Sequence, residues 1–118
     1  MIKKILVIDD NVIFCKAIKY HLSQKAYDVD ICISNAEFQD KRNIKKFDLI
    51  LVDMRLKDGE GIDILKYISE LIPGKKVIMI SSYLDNENIS KAKELGAYKC
   101  INKNSNLFHE LDNIIKNL

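Results

Sequence analysis

Two apolar runs in this chain end on acids: Ile5-Leu6-Val7-Ile8 closes on Asp9-Asp10, and Leu49-Ile50-Leu51-Val52 closes on Asp53. Short runs of this composition read as strands buried on both faces, so the three carboxylates fall at strand ends. If the two strands are parallel neighbours the carboxylates converge. At about 4 Å and an effective dielectric of about 20, each like-charged pair repels by about 4 kcal/mol. Such a cluster requires a divalent cation, a proton or a nearby lysine.

The elements that must position these acids follow from periodicity. Phe14, Ala17, Ile18 and Leu22 recur at helical spacing after Asp10, and a strand runs through Val29–Ile33. Ser34-Asn35-Ala36-Glu37 has capping-box spacing and opens a second helix with a thin apolar face, chiefly Phe38 and Ile44. The strand carrying Asp53 leads into a loop with Gly59 and Gly61, and Ile62, Leu65, Ile68 and Ile72 mark a third helix stopped by Pro73-Gly74. Val77–Ile80 is a fourth strand ending on Ser81-Ser82. A short helix with Ile89, Ala92 and Leu95 ends near Gly96, a strand runs through Tyr98–Ile101, and Leu107, Phe108, Leu111, Ile114, Ile115 and Leu118 form a closing helix.

Five strands alternating with five helices are the pattern of an α/β doubly wound parallel sheet. In the common order 2-1-3-4-5 the first and third strands flank the topological switch point, and ligands bind beyond their carboxyl ends. Topology alone therefore sets Asp9, Asp10 and Asp53 at the mouth of one crevice.

Composition removes several other settings. The 118 residues, 47% hydrophobic and 31% charged, fit one domain, 1–118, with a real core. No run reaches membrane-spanning length, and the start of the chain is too short in apolar residues for a secretory signal. Cys15, Cys32 and Cys100 are odd in number and widely spaced, which suggests neither a disulfide framework nor a zinc site and makes a reducing cytoplasm the expected home. The net charge is +2 and the lysines lie in scattered doublets, so no nucleic-acid footprint is expected.

In order and register, Asp9-Asp10, Asp53, Gly61, Ser81 and Lys103 after Gly96-Ala97 resemble the receiver domain of bacterial two-component response regulators. The resemblance covers essentially the whole chain and implies a flavodoxin-like (βα)5 fold. It implies Mg²⁺ ligated by Asp10, Asp53 and the backbone carbonyl of Arg55, with Asp9 acting through water. Asp53 is then the phosphoacceptor, attacking the phosphorus of a phosphohistidine on a histidine kinase or histidine phosphotransfer protein. Lys103 neutralises and positions the transferring group, and Ser81 donates to a phosphoryl oxygen. The implied protein is a switch acting on a downstream protein target, and not a conventional enzyme. A receiver-like interaction module without phosphorylation is the runner-up.

Other classes fail at named positions. A haloacid-dehalogenase-type phosphatase needs a second aspartate two residues after the nucleophile, where this chain has Arg55. A flavin site needs a phosphate cradle after the first strand, where Asp9-Asp10-Asn11 would repel phosphate. Cys15 and Cys32 read as small core residues, and His21 and His109 lack ligand partners at motif spacing.

Several positions depart from the family pattern. Asn104 replaces the usual proline after the lysine, so the Lys103–Asn104 bond is expected to be trans and the loop re-routed. Cys100 stands where the family has its switch aromatic, with Tyr98 as a partial substitute, and Tyr98-Lys99 replaces the acidic pair of dimerising receivers. A mainly monomeric protein follows from that loss. The resemblance implies that Arg55 and Tyr83, two residues beyond Asp53 and Ser81, flank the water path to the phosphorylated aspartate; both are large and neither is a good base at neutral pH, so slow self-dephosphorylation is expected. The chain stops where the family's fifth helix ends, which suggests a stand-alone receiver, or else the receiver portion of a longer DNA-binding regulator.

Overall fold

Each apolar run becomes a strand of one parallel sheet because the strands are buried from both sides. The computed structural model describes residues 2–118. The sheet contains β1 (Lys4–Ile8), β2 (Asp28–Cys32) and β3 (Leu49–Asp53); the short strands β4 (Arg55–Leu56) and β5 (Gly59–Glu60) form a separate hairpin, and β6 (Lys76–Ser81) and β7 (Lys99–Asn102) complete the sheet. Its order is β2-β1-β3-β6-β7, the expected 2-1-3-4-5 with the hairpin set aside.

Alternate residues of the central strands feed two cores. Leu6, Ile8, Ile50, Val52, Val77 and Met79 pack with Phe38, Leu65, Ile68 and Ala92 under α2 (Asn35–Asp40), α3 (Gly61–Leu71) and α4 (Asn86–Glu94). Ile5, Val7, Leu49, Leu51, Ile78 and Ile80 pack with Cys15, Ile18, Leu22, Leu111 and Ile115 under α1 (Val12–Ser23) and α5 (Leu107–Lys116). Both cysteines read as core residues are buried. Ile8 pairs with Val52 in register, so Asp9 and Asp53 emerge level with each other. No helix among the described residues is long and apolar enough to cross a membrane.

Three sequence expectations need correction. Ala17 is exposed; the buried stripe of α1 is Cys15, Ile18 and Leu22, flanked by half-buried Phe14. The second helix ends at Asp40 and does not reach Ile44, because Lys41 turns to extended backbone (φ −70°, ψ 130°); left-handed Asn43 (φ 56°) then opens a separate 3-10 turn, Ile44–Lys46. The glycine loop after Asp53 is partly ordered as the β4–β5 hairpin, too short for any periodic signal. Ser34 does cap the helix: its Oγ accepts the Glu37 amide at 3.0 Å, while Glu37 Oε1 reaches back past the cap to accept the Ile33 amide at 2.8 Å.

Candidate functional site

Asp9 is the most constrained acid. It is fully buried; its amide donates to Cys32 O at 3.0 Å, its carbonyl accepts the Cys15 thiol at 3.2 Å, and its Oδ1 accepts the Asn11 amide at 2.9 Å. Asp53 is 7% exposed, and its Oδ1 lies 3.4 Å from the Arg55 amide. Half-buried Asp10 accepts the Lys57 amide at 2.8 Å, which ties it to the β4–β5 turn. One oxygen from each of the three carboxylates lies within 4.8 Å of the others. The convergence expected from topology is therefore present.

Lys103 supplies the countercharge. Its Nζ is 2.5 Å from Asp9 Oδ2 and 3.3 Å from Asp53 Oδ2. Burial works to lower the lysine pKa, but the bond to Asp9 and the charges of Asp53 and Asp9 outweigh it and leave the pKa above its ordinary value. Burial, reinforced by the charge of Asp9 and opposed by Lys103, pushes the Asp53 carboxyl up to about 6. No cis peptide bond occurs among the described residues, so Lys103–Asn104 is trans, as expected without proline. The ammonium still reaches the acids because the Lys103 amide continues β7 onto Ser81 O at 2.8 Å.

The donor set suits a hard cation. Only oxygen ligands converge here, the pattern of Mg²⁺ or Ca²⁺ sites. Asp9 Oδ2 is buried and, beyond its ion pair with Lys103, accepts no hydrogen bond from the described residues, which leaves a lone pair for a further donor. Gly61 completes the shape: a Cβ there would lie 2.0 Å from the carbonyl oxygen of Asp53, so only glycine lets the chain after Asp53 fold back so closely.

The remaining candidates are placed less directly. Ser81 is buried at the end of β6, but its hydroxyl donates to Tyr83 O at 2.8 Å and accepts the Tyr83 amide at 3.0 Å, with no hydrogen bond to Asp53. Arg55 and Tyr83 line one cleft of about 50 Å³ with Ser81 and Asn88, yet the Tyr83 side chain is 72% exposed and does not cover the acids. Cys100 is half-buried against the core under α4. Tyr98 lies under Lys76 Nζ, 4.6 Å from its ring, at the end of β7 away from Lys103, and so is poorly placed to replace the aromatic gate. His21 Nε2 bonds Asp112 Oδ1 at 2.8 Å and its ring stacks on Phe108, a clamp between α1 and α5 that leaves it no ligand role.

Sequence reasoning missed two contributors. Asp58, in the hairpin turn, accepts the Asn35 and Ala36 amides at 2.8 and 3.0 Å and so caps α2 from the site's own loop. Phe14 was visible only as one apolar position of a helix, although its place in the first turn after the acids was a usable signal. Its ring centroid is 4.6 Å from Lys103 Nζ.

A doubly wound sheet carrying three acids and a lysine at its carboxyl edge defines a metal-compatible acidic site at a topological switch point. Residues 5–116 match the model of the response regulator receiver domain, and the chain belongs to that family. It is 30% identical over 101 residues to the response regulator protein PilR of Pseudomonas aeruginosa, covering 86% of this chain and 23% of PilR. It also resembles a CheY-like receiver domain protein from Methanospirillum hungatei at 32% identity and a TM-score of 0.89, over 99% of this chain and 93% of that one. A response regulator from Burkholderia pseudomallei, whose crystal structure contains a phosphorylated aspartic acid, a calcium ion and citrate, matches at 26% identity and a TM-score of 0.83, over 92% and 64% of the two chains. The chain spans between about a fifth and a half of the length of the curated relatives it matches.

Proposed function

We propose that residues 1–118 act as one receiver domain that takes a phosphoryl group onto Asp53, with Mg²⁺ held by Asp10, Asp53 and the Arg55 carbonyl and Asp9 acting through water. The observation that carries the reading is the convergence of Asp9, Asp10 and Asp53 around the Lys103 ammonium. The phosphorylated aspartate and calcium ion in the Burkholderia relative support it. Bound at the three acids, a divalent cation offsets their repulsion and the charge of the incoming phosphoryl group. Asp53 attacks the phosphorus of a phosphohistidine: the new P–O bond forms as the P–N bond breaks, and its electron pair leaves on the imidazole nitrogen, which takes a proton. Lys103 gives up its contact with the Asp53 carboxylate for a phosphoryl oxygen.

Phosphorylation then competes for the Ser81 hydroxyl. It now bridges the Tyr83 backbone, and turning it to a phosphoryl oxygen frees the Tyr83 amide and carbonyl and shifts the loop before α4. That shift is the switch. The donor is a histidine kinase or histidine phosphotransfer protein in the cytoplasm, and the output is a surface offered by a mainly monomeric protein to a downstream protein target. A second reading, that these residues are the receiver portion of a longer regulator, is supported by the small share of PilR that they span.

Intact-mass spectrometry after incubation with phosphoramidate and Mg²⁺ tests the central step. The wild type should gain one phosphate and Asp53→Ala none; a full adduct on Asp53→Ala, or none on the wild type, overturns it in favour of a receiver-like module without phosphorylation.

A further inference from the structure

Lysine carries its charge on a flexible four-carbon stem, so a lysine that must meet a phosphoryl group at a fixed point needs something to hold it there. At this site the loop after Lys103 offers little: Asn104, Ser105 and Asn106 are all exposed. On one side the ammonium meets Asp9 and Asp53, and the Phe14 ring lies 4.6 Å from it. The Phe14 backbone is fixed at the start of α1, because Asn11, the cap of that helix, accepts the Phe14 amide at 3.0 Å. Phe14 packs against the core beneath α5 and lines, with Leu107 and Phe108, a cleft of about 300 Å³ that runs along Lys103.

We infer that Phe14 is a positioning residue for phosphoryl transfer, its ring holding the Lys103 ammonium at the acid cluster through a cation–π contact. The inference deepens the proposed function and rests on it. During transfer Lys103 exchanges one anionic partner for another, whereas the ring contact needs no exchange. An aromatic ring attracts the cation without neutralising it, so the full charge stays available to the phosphoryl oxygens. Phe14 is half-buried, so the face of its ring that does not pack on the core is open to the ammonium beside it.

The test uses the full chain and two readouts. In proton NMR the ring should displace the Lys103 ε-methylene resonances upfield of a free lysine, and Phe14→Leu should return them. With phosphoramidate and Mg²⁺, Phe14→Leu should slow phosphorylation about fivefold, the size of a partly desolvated cation–π contact. Phe14→Tyr, which keeps the ring, should restore both signals. In a Lys103→Met background Phe14→Leu should change the rate no further, a result that a purely structural role would not produce. Unshifted lysine resonances, a wild-type rate in Phe14→Leu, or an equal loss with and without Lys103 overturns the inference. If the wild type takes no phosphate, the proposed function fails, and the resonances alone still decide whether the ring holds the lysine.

Discussion

At the β1–β3 edge of the sheet, Asp9 and Asp53 follow strands in which Ile5–Ile8 and every residue of β3 are buried, and Asp9 is gripped by backbone and side-chain partners from three neighbours. At the β6–β7 edge the chain leaves the sheet into exposed Ser82, Tyr83, Asn104 and Ser105, and Ser81 is held by the Tyr83 backbone and Lys103 by the carboxylates of Asp9 and Asp53. The first edge is a fixed electrostatic surface; the second is adjustable. Of the departures from the family, Tyr83 and Asn104 lie on the second, and Tyr98, Lys99 and Cys100 lie on the chain that leads to it through β7. Under the proposed function, response to the signal belongs to the β6–β7 edge and the ability to accept phosphate to β1 and β3.

The comparison breaks most easily at Gly61. A Cβ there meets the Asp53 carbonyl at 2.0 Å, and a strand end buried in the core has no direction in which to yield. Gly61→Ala should lower stability by about 3 kcal/mol, at the upper end of overpacking costs. On the adjustable edge, Asn104→Ala removes only the bond from the Asn106 amide at 2.9 Å and should cost about 0.5–1 kcal/mol. Urea denaturation of the two variants measures the contrast. Equal losses would mean that the two edges are equally rigid.

A smaller effect comes from the charge on Asp53. Its pKa is raised from 3.8 to about 6, so between these values the folded protein keeps a proton that the unfolded chain has released. The stability this contributes is complete below about pH 4 and is lost as pH rises through about 6. Above that, ionised Asp53 strains the cluster. In metal-free protein Asp53→Asn should therefore raise stability by about 1–2 kcal/mol at pH 7.5, less than the full shift implies because water reaches part of the site, and by nothing near pH 3.5. Chemical denaturation at the two pH values, with a chelator present, reads the difference. A gain that persists at pH 3.5 would assign it to packing and not to charge.

How much of this was legible in the sequence divides along the same edges. The buried strands announce themselves because four or five consecutive apolar residues have few other uses, and an acid directly after such a run can only sit at the sheet's end. Asp9, Asp10 and Asp53 were readable for that reason. Ser81 and Lys103 were readable as positions, but the direction of their side chains was not, since a hydroxyl at a loop entrance can choose the local Tyr83 backbone over a distant carboxylate. The β4–β5 hairpin escaped because two-residue strands carry no periodicity, and the early end of α2 because Lys41, a good helix former, turns extended there with no glycine or proline to signal it. Phe14 escaped for a different reason: its apolar type fitted the helix face, which hid its second contact with a charge.

The smallest expected effect concerns how long the phosphoryl group lasts, and it compares two residues from opposite edges. Arg55 follows β3 and Tyr83 follows β6, and they line one cleft together with Ser81. Water must approach Asp53 in line with the P–O bond to remove the group, and it reacts faster when a carboxylate or amide orients it. Arg55 and Tyr83 carry neither group, so neither orients the water that way. Arg55 can pair with a phosphoryl oxygen, but Tyr83 is 72% exposed, so any screening by its ring requires the β6–α4 loop to fold inward after Ser81 turns to the phosphate. Most of the slowness should therefore come from the missing base. Arg55→Asn with Tyr83→Glu should speed decay about fivefold, close to 1 kcal/mol of activation free energy. Tyr83→Ala should change it by less than about twofold, since a ring that stands in solvent blocks little. Decay of the phosphoprotein after rapid removal of donor, followed by intact mass, distinguishes the two. A large acceleration in Tyr83→Ala would show that the ring closes over the site in the phosphorylated state and that the adjustable edge moves further than its resting contacts indicate.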